Sequence, residues 1–562
     1  MTVSSATTGS SNTTLSNSST TSGSNSTTGI DWNALINAAV NAKLARATSI
    51  STSITANQAK VSAYQALQTN LKTLASGLTS LSSSIINSLA TNAFAARAAT
   101  ISSTGDVSAS AALSMTVASG AATGDHTLQI GRLATAEKVI GAAQSSQTTA
   151  LGYSGTFSIG LSGGSTSDVT ITSGMSLQAV ADAINAQSSK TNVGASIVQV
   201  TSGSYQLVLT GAKDGADISY TSTSGDDILN KLGVTDGSGA FSKVLQVAQS
   251  ALFTLDGIAM TRNTNDISDV LGGITFSLLQ ATPSGATINI NIGPDTTRIS
   301  SALQAFVTNY NAYRDAVIAQ QATNADGTAA SAAVLFGDGT MREITSRLEA
   351  VLSGTVGGLT MSDLGLSFNE KNELVLDSGT LSAILTSNLS GVTKFLSAQT
   401  ATSSSQLTVI NTGTSPQSFT LDLAVDSSGR LTGASIGGDN SLFTVSGTSI
   451  IGNAGTAYAG MAFTYSGSTS QSITVSSTSG IAAQLYQIAT TYSKTTGSLQ
   501  TLITDLQSRD GAMQQKVNDI NSGAAAFKAQ LQSQYAKYQA AIQSANNTLN
   551  YLKALLNAEY NR

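Results

Sequence analysis

Apolar residues recur at helical spacing at both ends of the chain and alternate with polar residues between them. Near the N-terminus, Leu67, Leu71, Leu74, Leu78, Leu81 and Ile85 step by four and three residues in turn. That rhythm lays one apolar stripe along a helix wound against a partner. Upstream, Leu35, Ala39, Leu44, Ile50 and Ile54 give a looser helical pattern, and Asp31 after Gly29 predicts an N-cap. The C-terminal stripe is longer. It runs through Leu499, Leu502, Leu506, Met513, Val517, Ile520, Ala524, Phe527 and Leu531. A four-residue step then leads to Tyr535, followed by Tyr538, Ile542, Ala545, Leu549, Leu552 and Leu556. The extra step is a stutter, which unwinds a coiled coil locally without ending it. A continuous helix from Ser498 to Leu556 would span about 90 Å. Gly511 and Gly523 weaken it by about 1 kcal/mol each and mark natural points for a bend.

Between these ends the period drops to two. Phe253 and Leu255, Ile274, Phe276 and Leu278, and Ile288, Ile290 and Ile292 alternate as strands with one buried face. Tyr205–Thr210 is a further strand, and Asp256-Gly257 and Asp236-Gly237 mark turns. Ser176–Asn185 predicts a short helix capped by Ser176, and Leu303–Ile318 a longer one with Phe306, Val307, Tyr310 and Tyr313 on its apolar face. Residues 401–478 return to strands, through Leu421 and Leu423, Phe443 and Val445, Met461, Phe463 and Tyr465, and Ile473 and Val475. This block interrupts two helical regions and reads as an inserted β-domain. All three prolines, Pro283, Pro294 and Pro416, fall outside the terminal helices.

Composition sharpens the picture. Only 10% of the 562 residues are charged, and neutral polar residues take their place. Such surfaces pack against identical neighbours without burying charge, which suits an assembling protein. The net charge of −5 is uneven: residues 1–100 carry +4, residues 480–562 carry +3, and the middle carries −12. The positive groups are thinly spaced with no aromatic interleaving, so they read as solvated helix faces and not as a nucleic-acid surface. No apolar run is long enough for a membrane span. The start, residues 1–29, is rich in Ser, Thr and Asn, with neither the basic nor the apolar segment of a cleaved signal peptide.

No catalytic, cofactor or metal constellation stands up. There is no Cys, and the single histidine, His126, reads as an exposed turn residue that cannot build a metal site alone. Gly160–Gly164 and Gly433–Gly437 match G-x-S-x-G, but the histidine of that hydrolase fold follows its serine, whereas His126 precedes both. A sugar-cleaving pair of acids would bring several stacking aromatics, against one Trp here.

Several segments, in order, resemble the flagellar filament cap family, also called the hook-associated protein 2 family. The first is Gly29–Ile36, with Asp31, followed by Tyr64–Leu67. The most specific is the run Phe253–Gly257, Arg262–Asn265, Ile267–Val270 and Gly273–Phe276, in which Asp256, Gly257, Asn265, Ile267, Val270 and Gly273 match the family pattern. Phe306–Asn311 matches with Tyr310 and Asn311; Leu335–Asp338, Leu364–Leu366, Glu373–Asp377, Gly480–Gln484 and Asn550–Leu552 follow. Residues 168–212 are similar to a repeat shared by flagellins and hook-associated proteins. The block at 401–478 and the polar tail depart from the pattern.

The resemblance implies an α+β, multidomain, non-enzymatic protein with long terminal α-helices forming a coiled-coil-like leg and β-rich head domains inserted between them. The expected division is a tail at 1–29; a leg tip at 30–55 and 515–562; a helical leg at 56–96, 296–400 and 479–514; head domains at 97–148 with 243–295 and at 149–242; and the insert at 401–478. It further implies a homo-oligomeric ring, commonly of five subunits, at the distal filament tip outside the cell. The family is exported unfolded without a cleaved signal peptide and promotes folding and insertion of flagellin. Hook-associated proteins and an export chaperone are expected partners; nucleic acid, cofactors, metals and membrane insertion are not. Residues 60–90 and 480–510 suit an antiparallel pair within one monomer, whereas 515–562 suit equally an exposed seam meeting other subunits. A secreted β-rich adhesin and a hook–filament junction protein are the competing readings.

Overall fold

The structure, a computed structural model, describes residues 31–83, 89–412 and 418–560; the expectations for the 1–29 tail, Gly29 and Ile85 lie outside these. Helix dominates both ends. The N-terminal helix is Trp32–Ser82 and the C-terminal helix Ser498–Tyr560. Asp31 caps the first of them, its Oδ1 accepting the Ala34 N–H at 3.0 Å. The C-terminal helix runs through Gly511 and Gly523 without interruption. No helix of the described residues is long and apolar enough to cross a membrane.

The chain divides into two compact units. The first takes the described part of Met1–Gln68, with Ile318–Asp338 and Lys494–Arg562. Its connecting segment is tied down by Tyr64, whose hydroxyl donates to Asp338 Oδ2 at 2.7 Å. Leu335 is buried beside it, and its N–H reaches Gln320 Oε1 at 3.0 Å.

The second unit is Thr69–Val317 with Gly339–Ser493. Its helical part packs Leu78 and Leu81 of the N-terminal helix with Leu303 and Phe306 of the helix Thr296–Ala319, and with Leu352 and Leu485 from the helices Gly339–Leu352 and Ile481–Ser493. Close approach is built in at Gly77, where a Cβ would stand 2.3 Å from Asn309 Nδ2. Asn309 instead donates to the Thr73 carbonyl and Asn70 to the Ala312 carbonyl, both at 3.3 Å. Tyr310 and Tyr313 are fully buried on this core, and burial pushes the Tyr310 phenol up to about 12.

Three β-domains belong to the same unit. In the first, a five-stranded antiparallel sheet (Arg97–Thr104, Thr287–Pro294, Gly124–Arg132, Ala251–Leu255, Ile258–Arg262) packs on a three-stranded one (Asp266–Ile267, Ile274–Leu278, Leu113–Val117). The alternating Ile288, Ile290 and Ile292 face this core together with Phe253 and Phe276. Those two rings meet edge to face, 6.0 Å between centroids. The second β-domain sets the helix Leu177–Asn185 over its strands, with Leu177, Val180 and Ile184 inward and Ser176 capping the Ala179 N–H at 3.3 Å. The third spans Gln399–Thr478 as two four-stranded sheets over a core of Leu421, Ile450, Phe463 and Ile473. Edge strands of its two sheets follow one another in the chain, Gln399–Thr402 into Leu407–Thr412 and Leu431–Ser435 into Phe443–Ser446, so the two sheets adjoin along both edges. The fold is α+β and multidomain, with long helices at both ends and β-rich domains between.

His126 departs from expectation. It sits within the strand Gly124–Arg132, not in a turn, half-buried with Nδ1 2.7 Å from Asp256 Oδ2. The two G-x-S-x-G matches are a hairpin turn at Ser162 and a strand at Ser435; neither is the strand-to-helix elbow that exposes a nucleophile.

Glu137 is buried where the first β-domain leads into the second, and its carboxylate accepts the Ile218 N–H. Burial pushes its pKa up; the Ile218 hydrogen bond opposes the rise and the Asp217 charge adds to it. A folded-state pKa above the unfolded one means stability is fullest below the ordinary glutamate range and falls as pH rises through the raised value. Glu137→Gln keeps an acceptor for Ile218 without the charge. Thermal unfolding is expected to show it more stable than the parent at neutral pH, with the difference vanishing in acid.

Candidate assembly interface

Within the first unit the two terminal helices run antiparallel. Four contacts give the register: Trp32 against Tyr535 with ring centroids 4.7 Å apart, Lys43 Nζ 4.1 Å from the Phe527 ring centroid, Asn57 against Asp510, and Gln68 against Gln500. Each pair sums to nearly the same number, so one helix descends as the other climbs, with no slip.

The seam steps by threes and fours on each side, a heptad-like rhythm broken by 4-4 and 3-3 steps. Ile36, Val40, Leu44, Ala47, Ile50, Ile54, Val61, Tyr64 and Leu67 are buried or half-buried on the N-terminal helix. Opposite them lie Leu499, Ile503, Leu506, Met513, Val517, Ile520, Ala524, Phe527, Leu531 and Tyr535. Two small cores show the interdigitation: Ile36, Val40 and Ala524 with Phe527, Leu531 and Tyr535, then Ala47, Ile54 and Val517 with Met513 and Ile520. Ile503, one position beyond Leu502, is the fully buried residue, and Leu502 is half-buried. Likewise Ile36 faces the seam and Leu35 is 50% exposed. Leu71, Leu74, Leu78 and Leu81 continue the stripe into the second unit, where all four are fully buried.

The seam carries two polar pairs, Gln68 with Gln500 at 3.2 Å and Asn57 with Asp510. Asn57 occupies a heptad position and donates from Nδ2 to Asp510 Oδ1 at 2.8 Å. The apolar stripe skips from Leu506 to Met513 because Asp510 holds the position between them. A polar pair in an apolar seam costs stability but fixes register, because any slip strands both groups against hydrocarbon.

Among the described residues the pairing stops past Tyr535. Extending the register, residues 536–560 would need partners numbered below 32, where the described helix has ended. About 37 Å of helix therefore lies beyond the end of its partner. Its stripe is open to solvent: Tyr538 is 58% exposed and Leu556 65%, with Leu549 and Leu552 each about half exposed and Ile542 half-buried. Tyr551 and Leu555 widen the apolar surface. A helix with an apolar stripe and no covering partner is a surface that seeks one.

The other motif residues are placed differently, as fasteners inside the second unit. Asp256 and Gly257 form a two-residue hairpin turn with φ of 52° and 79°, the left-handed values such a turn requires. The Asp256 carboxylate clips the neighbouring strand through His126 and through the Thr127 N–H at 2.8 Å; the His126 hydrogen bond first, then that of Thr127, holds its pKa below the usual carboxylate range. Asn265 grips both backbone groups of Ala134, accepting its N–H at 2.8 Å and donating to its carbonyl at 2.9 Å. Asn311 does the same for Leu374, at 2.8 and 2.9 Å. Ile267 and Tyr310 are buried in cores, Val270 packs against one, and Gly273 turns with φ of 77° beside Ala121. Only Asp31, the helix cap, belongs to the seam's own unit.

Two family models cover this arrangement. The one described as flagellar hook-associated protein 2 C-terminus matches residues 248–547. The chain belongs to the flagellar hook-associated protein 2 family. The corresponding N-terminus model matches residues 28–137, and the flagellin hook IN motif matches residues 156–213. Flagellar hook-associated protein 2 of Escherichia coli K12 is 30% identical over 380 residues, covering 65% of this chain and 77% of that protein. The B-type protein of Pseudomonas aeruginosa PAO1 is 25% identical over 389 residues, covering 66% and 79%. Among solved structures, the flagellar cap protein FliD D1-D2-D3 domains from Escherichia coli cover 79% of this chain and 99% of their own, at 22% identity and a TM-score of 0.48.

The layer of Asn57 and Asp510 makes a measurable claim. Asn57→Ala leaves the Asp510 carboxylate half-buried without its donor and is expected to cost about 1–3 kcal/mol. The double change Asn57→Leu with Asp510→Leu is expected to recover that loss. Thermal unfolding followed through Trp32 fluorescence, which reports the Tyr535 stack, checks both.

Proposed function

We propose that this chain caps the distal end of the bacterial flagellar filament, where it promotes folding and insertion of exported flagellin subunits. The observation that carries this reading is the uncovered stripe of the C-terminal helix from Tyr538 to Leu556. Membership of the hook-associated protein 2 family supports it.

The chemistry is mechanical and needs no catalytic step. A cap that shifts as each subunit is added needs contacts that break and re-form. An apolar helix stripe flanked by few charges suits that: parting it from a partner loses burial and dispersion but leaves no buried charge unpaired. Its last turns order fully only when docked, which offsets part of the docking energy and keeps binding reversible.

The capping form is a homo-oligomeric ring outside the cell, of five subunits by family habit, whose helical legs meet flagellin and hook-associated proteins. Lys43, Lys60, Lys516, Lys528 and Lys537 leave the terminal helices mildly basic against an acidic middle, which favours contact between unlike parts of neighbouring copies. Export proceeds unfolded, with a chaperone shielding the apolar helix before release. The seam residues Leu499–Tyr535 hold each leg together, and Tyr538, Ile542, Leu549, Leu552 and Leu556 make the contacts between subunits or with the filament end.

Deleting residues 536–562 is expected to leave circular dichroism per residue and the unfolding of the β-domains unchanged, while filaments are lost and flagellin escapes as monomer into the medium. Leu549→Ser, Leu552→Ser and Leu556→Ser together are expected to act the same way. Normal swimming and normal filament length in the deletion strain would overturn the reading.

A further inference from the structure

The first and second β-domains are joined by two chain segments, running from Leu133 to Lys138 and from Val244 to Ser250. Two strands alone make a flexible strap. Here they are paired, with the Thr135 and Gln249 N–H and carbonyl groups exchanging hydrogen bonds at 2.9 and 3.1 Å. Side chains lock the ladder: Thr135 Oγ1 donates to the Val247 carbonyl at 2.8 Å, Gln249 Nε2 to Leu133 at 3.0 Å, and Arg132 Nε to Ser250 at 3.0 Å.

A loop of the second β-domain, residues 212–217, lies on this strap. Gly215 N–H donates to the Thr135 carbonyl at 3.0 Å, so that oxygen serves both the ladder and the loop. Gly215 has φ of +68°, and a Cβ there would stand 3.1 Å from both Asn263 Oδ1 and Ser250 Oγ. Both conformation and space therefore call for glycine. Asn263 is itself fixed by the Ser250 hydroxyl at 2.7 Å.

Asn265 completes the joint. Its Oδ1 and one Nδ2 hydrogen take Ala134, a core residue of the first domain where the first strap segment leaves it; its second Nδ2 hydrogen reaches Asp214 Oδ2, in the loop of the second domain, at 3.3 Å. Three of the four hydrogen bonds an asparagine offers are thus divided between two domains. We propose that Asn265, acting through Ala134 and Asp214, is the positioning residue that holds the two β-domains at one fixed angle. Aspartate is nearly the same shape but has no donor, and it would set a carboxylate against both the Ala134 carbonyl and Asp214.

The chain has no cysteine, so a pair introduced at Ser202 and Ser284, exposed in the second and first domains, takes spin labels without background. Pulsed electron–electron resonance on the full chain is expected to give one narrow distance peak for the parent. Asn265→Asp and Asn265→Ala are expected to lose that peak to a broad distribution, with the circular dichroism of each domain retained. Asp214→Ala touches the joint from the second domain alone and leaves the first core intact; it is expected to broaden the peak as well. Combining Asn265→Asp with Asp214→Asn restores a donor facing an acceptor and is expected to sharpen the distribution relative to Asn265→Asp. A peak as narrow in Asn265→Asp and Asp214→Ala as in the parent would overturn the proposal. The distances are read on isolated protein, so the result is independent of filament capping.

Discussion

The offset pairing of two antiparallel helices governs the rest of this molecule. The heptad-like seam holds Trp32–Leu67 against Leu499–Tyr535, and the polar layer of Asn57 and Asp510 keeps the two from sliding to hide more apolar surface. With the register pinned, the surplus falls at one place, the end of the C-terminal helix. Most of the exposed leucine and tyrosine stripe collects there. A pairing free to slip would spread that surplus along both helices and leave no defined docking surface. Stability given up at one polar layer is in this sense converted into a directed contact.

The β-domains obey a different rule. Their cores are ordinary alternating faces, but the residues that carry the family resemblance are mostly fasteners of backbone. Asp256, Asn265 and Asn311 each hold the backbone of a segment distant in sequence, and Gly257 and Gly273 supply left-handed turns. Each such cross-link removes a degree of freedom without adding an exposed apolar contact.

Much of this was legible in the chain, for a physical reason. Strict periodicity marks buried faces, so the stripe at Leu67–Leu81, the strand faces at Ile274–Leu278 and Ile288–Ile292, and the cap at Asp31 all read directly. The seam upstream of Val61 was harder, because Ala47 and Asn57 dilute it and shift its reading to Leu35 from Ile36. Ile503 was hidden behind its neighbour Leu502, both being apolar on adjacent helix positions. Asp510 left a gap in the stripe that only its pairing with Asn57 explains. His126 was misread because a Gly-Asp pair ahead of it resembles a turn, whereas the strand begins at Gly124 and the histidine's partner, Asp256, lies far along the chain. Fasteners of that kind join residues distant in sequence and carry no period at all.

The central claim is that the helix beyond Tyr535, whose apolar stripe no described residue covers, is covered in the assembly. Hydrogen–deuterium exchange of the full chain, compared between dilute monomer and filament-bound cap, tests this most directly, since an isolated helix end opens far more readily than a packed one. In the monomer, amides of residues 536–560 should exchange much faster than those of Leu499–Leu531, and they should become protected on the filament. Equal protection of both stretches in the monomer, or no gain on the filament, would contradict the account.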